Sequence, residues 1–222
     1  MTKRRDYSLD WWKYVIVCVV GYFLGNINFA RIISRSQKKD ITELGSGNPG
    51  TMNMVRNMGA KWGALTLVGD VVKSVAASMF GLLFIGTYGL YAGGLSAVVG
   101  HIYPIIYGLK GGKGVASAIG VFLVAYPVVS LVSFAAAFVF LLLAKYASLT
   151  SLILITTLTI YVGYVQNDLA IRIMVFSIWL LVWLGHRSNI MKAIVGKERK
   201  TDLAKAFSKI KTAPKTKEST KN

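Results

Sequence analysis

Apolar residues gather into long runs separated by short polar loops. A helix needs roughly 20 apolar residues to cross a hydrocarbon core of ~30 Å. Runs of that kind predict spans at about 14–33, 61–84, 88–106, 149–165 and 169–185. Residues 114–144 form a run of 31, too long for one comfortable crossing and short for two. Pro127 stands near its middle, where a helix kinks or breaks. Read as one helix, the run gives six spans, and the loops before and after it face opposite sides. Read as two helices hinged at Pro127, it gives seven. Each half then reaches only about 20 Å at 1.5 Å per residue. With seven spans, the loops 34–60, 107–113 and 145–148 and the stretch from 186 onward share one face.

Charge favours seven. The chain carries 26 Lys and Arg against 9 Asp and Glu, a net +17. Charged residues are only 16% of the total and hydrophobic ones 54%, with a mean hydropathy of +0.53. A soluble domain has about a quarter charged residues, so the balance is that of a membrane protein. Residues 31–61 hold six basic residues and two acids; residues 192–222 hold ten and three. The opposing loops near 86–89 and 165–168 hold no Lys or Arg. The positive-inside rule makes the basic face cytoplasmic. Lys3, Arg4, Arg5 and Lys13 fall on the outer side in this scheme, partly offset by Asp6 and Asp10. The expectation is an all-α polytopic integral membrane protein of about seven transmembrane helices, some short or broken. Residues 1–200 are one domain and 201–222 a basic, flexible cytoplasmic tail. The first run has no small-residue cleavage site and reads as a retained anchor. Cys18, the single cysteine, reads as a small buried hydrophobe. Aromatics sit in or beside the apolar spans, as in interfacial belts, rather than on a basic soluble surface. That argues against a nucleic-acid partner.

Three polar clusters fall on the basic face. The first, "ELGSGNPGTMNMVR" over 43–56, contains G-x-G-x-x-G at Gly45, Gly47 and Gly50. A dinucleotide fingerprint follows a hydrophobic strand; here the polar "RSQKKDITE" precedes it. The second, "GLKGGKGVAS", fails the P-loop pattern because three residues, not four, separate Gly108 from Gly112, and Gly follows Lys113. Both still suit an anion. Glycines let successive backbone N–H groups converge in a nest, Arg56 and Lys113 add charge, and each loop opens into a helix N-terminus. The third, "GHRSNIMKAIVGKERK", places His186 and Asn189 three apart on one helical face. A histidine there can orient or move a proton near neutral pH. Asp70 and Lys73 are three apart within a span and able to pair, as a functional or a structural ion pair. His101, beside Pro104, reads as a packing residue at a helix end.

In this order, "GSGNPG…N…R", "KGGKGVAS" and "HRSN…GKE" resemble the three cytoplasmic motifs of the bacterial acyl-phosphate:glycerol-3-phosphate acyltransferases, the PlsY type. "GHIYP", "DVVKS" and "YASL" match as well, so the resemblance spans roughly residues 21–200. It implies a seven-helix enzyme of the bacterial cell membrane with its site toward the cytoplasm. Such an enzyme transfers an acyl chain from acyl phosphate to the 1-hydroxyl of glycerol 3-phosphate. The products are lysophosphatidic acid and inorganic phosphate, for phospholipid synthesis. It also implies a working relation to the enzyme that supplies acyl phosphate, and contact with membrane lipids. The resemblance carries catalytic roles to Ser46, Arg56, His186 and Asn189. It carries substrate binding to Gly45, Gly47, Asn48, Asn53, Gly111, Gly112, Lys113, Gly114 and Ser148, and a structural role to Glu198. The chain departs from the family in two places. Gly50-Thr51-Met52-Asn53 stands where Gly-Ala-Thr-Asn is common, and Gly25-Asn26-Ile27-Asn28-Phe29 where Gly-Ser-Ile-Pro-Phe is usual.

Acyl phosphate is already activated, so the chemistry demands no metal, nucleotide or other cofactor. The work is alignment, which supplies ~7–11 kcal/mol in favourable cases, and offsetting the repulsion of two phosphates. Direct attack by the glycerol hydroxyl is expected. A covalent acyl-Ser46 route needs a base at hydrogen-bond distance. Rival classes are a paralogue with a different acyl donor and a small-anion transporter. His-x-x-x-x-Asp, the mark of soluble-type glycerolipid acyltransferases, is missing at both histidines. A transporter site belongs near the midplane, whereas these motifs collect at one face.

Overall fold

The first apolar run folds as two helices, α1 (Trp11–Asn26) and α2 (Phe29–Ser36), broken at Ile27 and Asn28. Asn28 stands in extended backbone, and its side-chain oxygen caps α2 by accepting from the Arg31 amide at 2.9 Å. The computed structural model describes residues 11–201 and Leu203, and every regular element among them is helical. Lys3, Arg4, Arg5, Asp6 and Asp10, and all of the tail but Thr201 and Leu203, lie outside the described residues.

A short α3 (Thr51–Met58) precedes α4 (Ala60–Ile85) and α5 (Thr87–Ile102), which ends in the 3₁₀ turn Ile105–Tyr107. The long run then divides, as expected, at Pro127. Tyr126 is extended, as a residue before proline prefers. Pro127 opens the next helix at its first position, where its missing N–H costs nothing. The two halves are unequal, which corrects the expectation of two short helices. Helix α6 (Val115–Ala125) has 11 residues, but α7 (Pro127–Ala144) has 18 and reaches about 27 Å. Helices α8 (Ala147–Val165), α9 (Leu169–Gly185) and α10 (Arg187–Ile194) complete the chain. Five segments are long and apolar enough to cross a bilayer: α1 with α2, α4, α5 with its turn, α7 and α8. Helix α9 joined to α10 across a 55° bend makes a sixth. The seventh expected segment, α6, is too short to cross alone and is enclosed by protein, with Ala116 to Phe122 all buried.

The core joins α5, α6, α8 and α9 through Tyr91, Phe122, Ile155, Leu158, Val175 and Ile178. Helix α1 lies against α5 on small residues. A Cβ at Gly25 would stand 2.2 Å from the Ala97 carbonyl oxygen, so only glycine permits this approach. Helix α7 is different: it buries Ser130 alone and is apolar all round, the surface of a lipid-facing helix. Successive segments alternate in direction. The loops between α2 and α3, α5 and α6, and α7 and α8, with the end of α9, therefore gather at one end. At the other end Asp168 caps α9, accepting from the amides of Ala170 (2.9 Å) and Ile171 (3.2 Å) and from the Tyr88 hydroxyl on α5.

Lys73 of α4 ties α1 and α5 together. Its ammonium lies 2.9 Å from Asp70 Oδ1 one turn away, donates to the carbonyls of Gly25 (2.9 Å) and Ile27 (2.5 Å), and meets His101 Nδ1 at 2.9 Å. All three side chains are buried. The pair expected between Asp70 and Lys73 thus exists. It also caps the broken end of α1, where carbonyls lose their helical partners. His101 belongs to this cluster rather than to simple packing.

Lys73→Met should lower stability by about 3–5 kcal/mol, because it leaves a buried carboxylate and two carbonyls uncompensated. The thermal unfolding midpoint in detergent should fall accordingly. An unchanged midpoint would show that the break between α1 and α2 needs no cation.

Candidate active site

The gathered loops enclose a cavity of about 970 Å³. Four helices begin on it: α3 through Thr51 and Met52, α6 through Val115 and Ala116, α8 through Ala147 and Ser148, and α10 through Ser188 and Asn189. Helix N-termini carry unpaired N–H groups and the positive end of the dipole, so this end of the cavity attracts anions before any side chain is counted.

The first glycine loop is shaped by Asn53. Its Oδ1 accepts from the Ser46 amide at 3.1 Å and from Asn57 Nδ2 at 2.8 Å. Its Nδ2 donates to the carbonyls of Ile41 (3.1 Å) and Leu44 (2.9 Å). Asn53 lines the cavity, yet its amide is committed to holding the loop. Gly45 and Gly47 have φ of +60° and +72°, the left-handed region that favours glycine. Asn28 Nδ2 reaches the Pro49 carbonyl at 3.2 Å and ties the loop to the start of α2. Proline, usual at this place in the motif the sequence resembles, has no such donor. The second loop rests on His101. The amide of Gly112 donates to the His101 carbonyl at 3.0 Å, and a Cβ there would stand 2.2 Å from Nε2.

Of the residues expected at the site, Ser46, Gly47, Asn48, Asn53, Arg56, Gly111, Lys113, Gly114, Ser148, His186 and Asn189 line this one cavity. Gly45 and Gly112 do not; they shape the two loops from behind. Lys113 donates to Asn189 Oδ1, and Asn189 Nδ2 reaches Glu198 Oε1 at 3.5 Å. Burial lowers the Lys113 pKa to about 8; Glu198 opposes the shift, while Arg56 and Lys192 add to it. Arg56 is drawn below its usual value by burial and by Arg199. His186, just past the end of α9, is 3% exposed. Its Nδ1–H donates to the Val182 carbonyl at 2.8 Å, which leaves Nε2 as the unprotonated nitrogen. Burial, and then Lys113, push its pKa down to about 4, so the ring is neutral at neutral pH. Ser46 Oγ accepts from the Asn48 amide at 3.4 Å; among the described residues neither histidine nor a carboxylate is bonded to it.

Several lining residues were not among those expected at the site. Arg31 donates to the Lys110 carbonyl at 2.9 Å and lies over the Tyr107 ring at 4.6 Å. Lys192 and Arg199 add positive charge, and Asp70 and His101 expose one side of the Lys73 cluster to the cavity. In sequence these basic residues look like any other members of the charged loops. Away from the cations the wall turns apolar. It is formed by Ala64 and Leu67 of α4, Ile119 of α6, Phe134 and Phe138 of α7, and Leu154 of α8.

The sequence model of the glycerol-3-phosphate acyltransferase family matches residues 15–196. The glycerol-3-phosphate acyltransferase of Thermosipho melanesiensis is 38% identical over 199 residues, covering 88% of this chain and 96% of its own. The fold is similar to the crystal structure of PlsY (YgiH), an integral membrane glycerol 3-phosphate acyltransferase, in its glycerol 3-phosphate form. That similarity has a TM-score of 0.82 at 30% identity over 87% of this chain and 98% of that one. The lysophosphatidic acid form of the same enzyme gives 0.79 at 30% identity over 88% and 98%. With seven apolar segments, three motif loops around one cavity and these relatives, the chain belongs to the glycerol-3-phosphate acyltransferase family of integral membrane proteins.

Proposed function

We propose that this protein transfers an acyl chain from acyl phosphate to the 1-hydroxyl of glycerol 3-phosphate, releasing lysophosphatidic acid and inorganic phosphate for phospholipid synthesis. One observation carries the reading: a single cavity has a cationic end and an apolar wall. Arg56, Lys113, Lys192 and Arg199 crowd that end with Glu198 as their close acid, and four helix N-termini add to them. Like charges brought together out of water repel strongly, and bound phosphate relieves that repulsion. The apolar wall suits the acyl chain.

The glycerol hydroxyl oxygen attacks the acyl carbon, an ester C–O bond forms, and the bond from acyl carbon to phosphate oxygen breaks. The hydroxyl proton ends on the leaving phosphate, which departs as inorganic phosphate. His186 Nε2 accepts the hydroxyl hydrogen bond and holds the oxygen in line, and Asn189 keeps Lys113 in place beside it. Arg56, Lys113 and the amides of the Ser46 loop meet the charge that grows on phosphate. No base bonded to Ser46 favours direct transfer over an acyl-serine. The basic loops support a cytoplasmic orientation of the cavity, where glycerol 3-phosphate and an enzyme making acyl phosphate would meet it.

Purified protein given palmitoyl phosphate and glycerol 3-phosphate should release phosphate and lysophosphatidic acid only when both are present. Arg56→Ala and His186→Ala should each lower kcat/KM about 100-fold or more. Turnover with an acyl thioester but not acyl phosphate would reassign the donor.

The pH profile gives a separate check. Lys113 attracts phosphate only when protonated, and kcat/KM reports groups of the free enzyme. The value should therefore fall as pH rises through about 8. Lys113→Arg, which stays charged, should remove that limb. A limb of equal position in both proteins would assign it to another group.

A further inference from the structure

The chain after α10 turns back across the cationic end of the cavity. Gly196 leaves the helix in the left-handed region, and the Lys197 amide donates to the Lys192 carbonyl at 2.7 Å. From there the segment is pinned at each step. Lys200 lies 5.8 Å from the centre of the Tyr146 ring. The Thr201 amide donates to the Lys145 carbonyl, at the end of α7, at 2.7 Å. Leu203, 8% exposed, packs with Val55 and Ala60, and Met52 and Leu141 lie against them. Met52 is one of the positions at which this chain departs from the common family motif.

Thr201 is only 2% exposed, although it stands in the part of the sequence that reads as a solvated tail. Its hydroxyl oxygen accepts from Arg56 Nε at 3.1 Å and from Nη2 at 2.5 Å. Nη2 also lies 3.5 Å from the Arg199 carbonyl. Among the described residues Nη1 makes no hydrogen bond. The guanidinium is therefore held by one edge, with a terminal nitrogen left over, at the wall of the cavity. Arginine has a long side chain whose ordering opposes binding. A fork fixed beforehand meets phosphate at a lower entropic cost.

We propose that Arg199, Lys200 and Thr201, with Leu203, form a strap and that Thr201 is a positioning residue, holding Arg56 ready for a phosphate group. The inference rests on Arg56 being a phosphate-binding residue. The strap lies beyond residues 15–196, the extent of the family match, and it adds a group to the site from outside the shared motifs.

Thr201→Val keeps the shape and removes the acceptor. It should lower kcat/KM about tenfold, the scale of a hydrogen bond to a charged group. Thr201→Ser should restore most of the loss. Wild-type kcat/KM in Thr201→Val overturns the proposal, and so does an equal loss in both variants, because the hydroxyl is then not the agent. A double-mutant cycle separates positioning from folding. In an Arg56→Ala background Thr201→Val should change the residual turnover little; a loss of the same size there overturns the proposal. Wild-type protein that fails to use acyl phosphate would defeat the proposed reaction and not the strap. The strap is then read from the rise in unfolding midpoint caused by inorganic phosphate. Thr201→Val should shrink that rise and Thr201→Ser should keep it; an unaltered rise in Thr201→Val overturns the strap.

Discussion

A single buried ammonium sets the geometry on which the site depends. Lys73 closes the end of α1 by meeting the carbonyls of Gly25 and Ile27, so α2 can leave at a new start capped by Asn28. Asn28 in turn holds Pro49 in the first glycine loop. On its other side Lys73 meets His101, against which the second glycine loop rests. Both glycine loops are thus referenced to one cation that touches neither. A charge buried in a membrane protein is expensive, and here it returns two loops held in register.

The cationic end works on a different principle. Burial and mutual repulsion disfavour the positive charges of Arg56, Lys113 and their neighbours. Helix packing, the glycine loops and the contacts of Thr201 with Arg56 hold the groups in place. Relief arrives with an anion, so part of the folding energy is held at the site as affinity for the ligand. His186 follows from the same field: beside Lys113 and out of water it stays neutral, with its tautomer set by Val182.

Much of the architecture was legible because its signals are local. Apolar runs, the proline at 127 and the one-sided basic loops located the segments and placed three motifs at one end. Enclosure was less legible. Pro127 marked the break, and counting from it already makes the second half the longer one; what the run did not show is that α6 would be enclosed by protein. That enclosure comes from the buried residues of α6 meeting α4 and α5. The motif residues did converge, yet the work of each is set by neighbours distant in sequence. Asn53 holds its own loop, and Gly112 makes room for His101. Thr201 acts on a residue 145 positions away. Composition and spacing carry no trace of such a pairing.

Helix α7 lines the apolar part of the cavity with Phe134 and Phe138, and it buries Ser130 alone. An enclosed tunnel measures a fatty chain by where the tunnel ends. Where one wall of a cavity is a lipid-facing helix, a long tail has room to pass beside that helix into hydrocarbon.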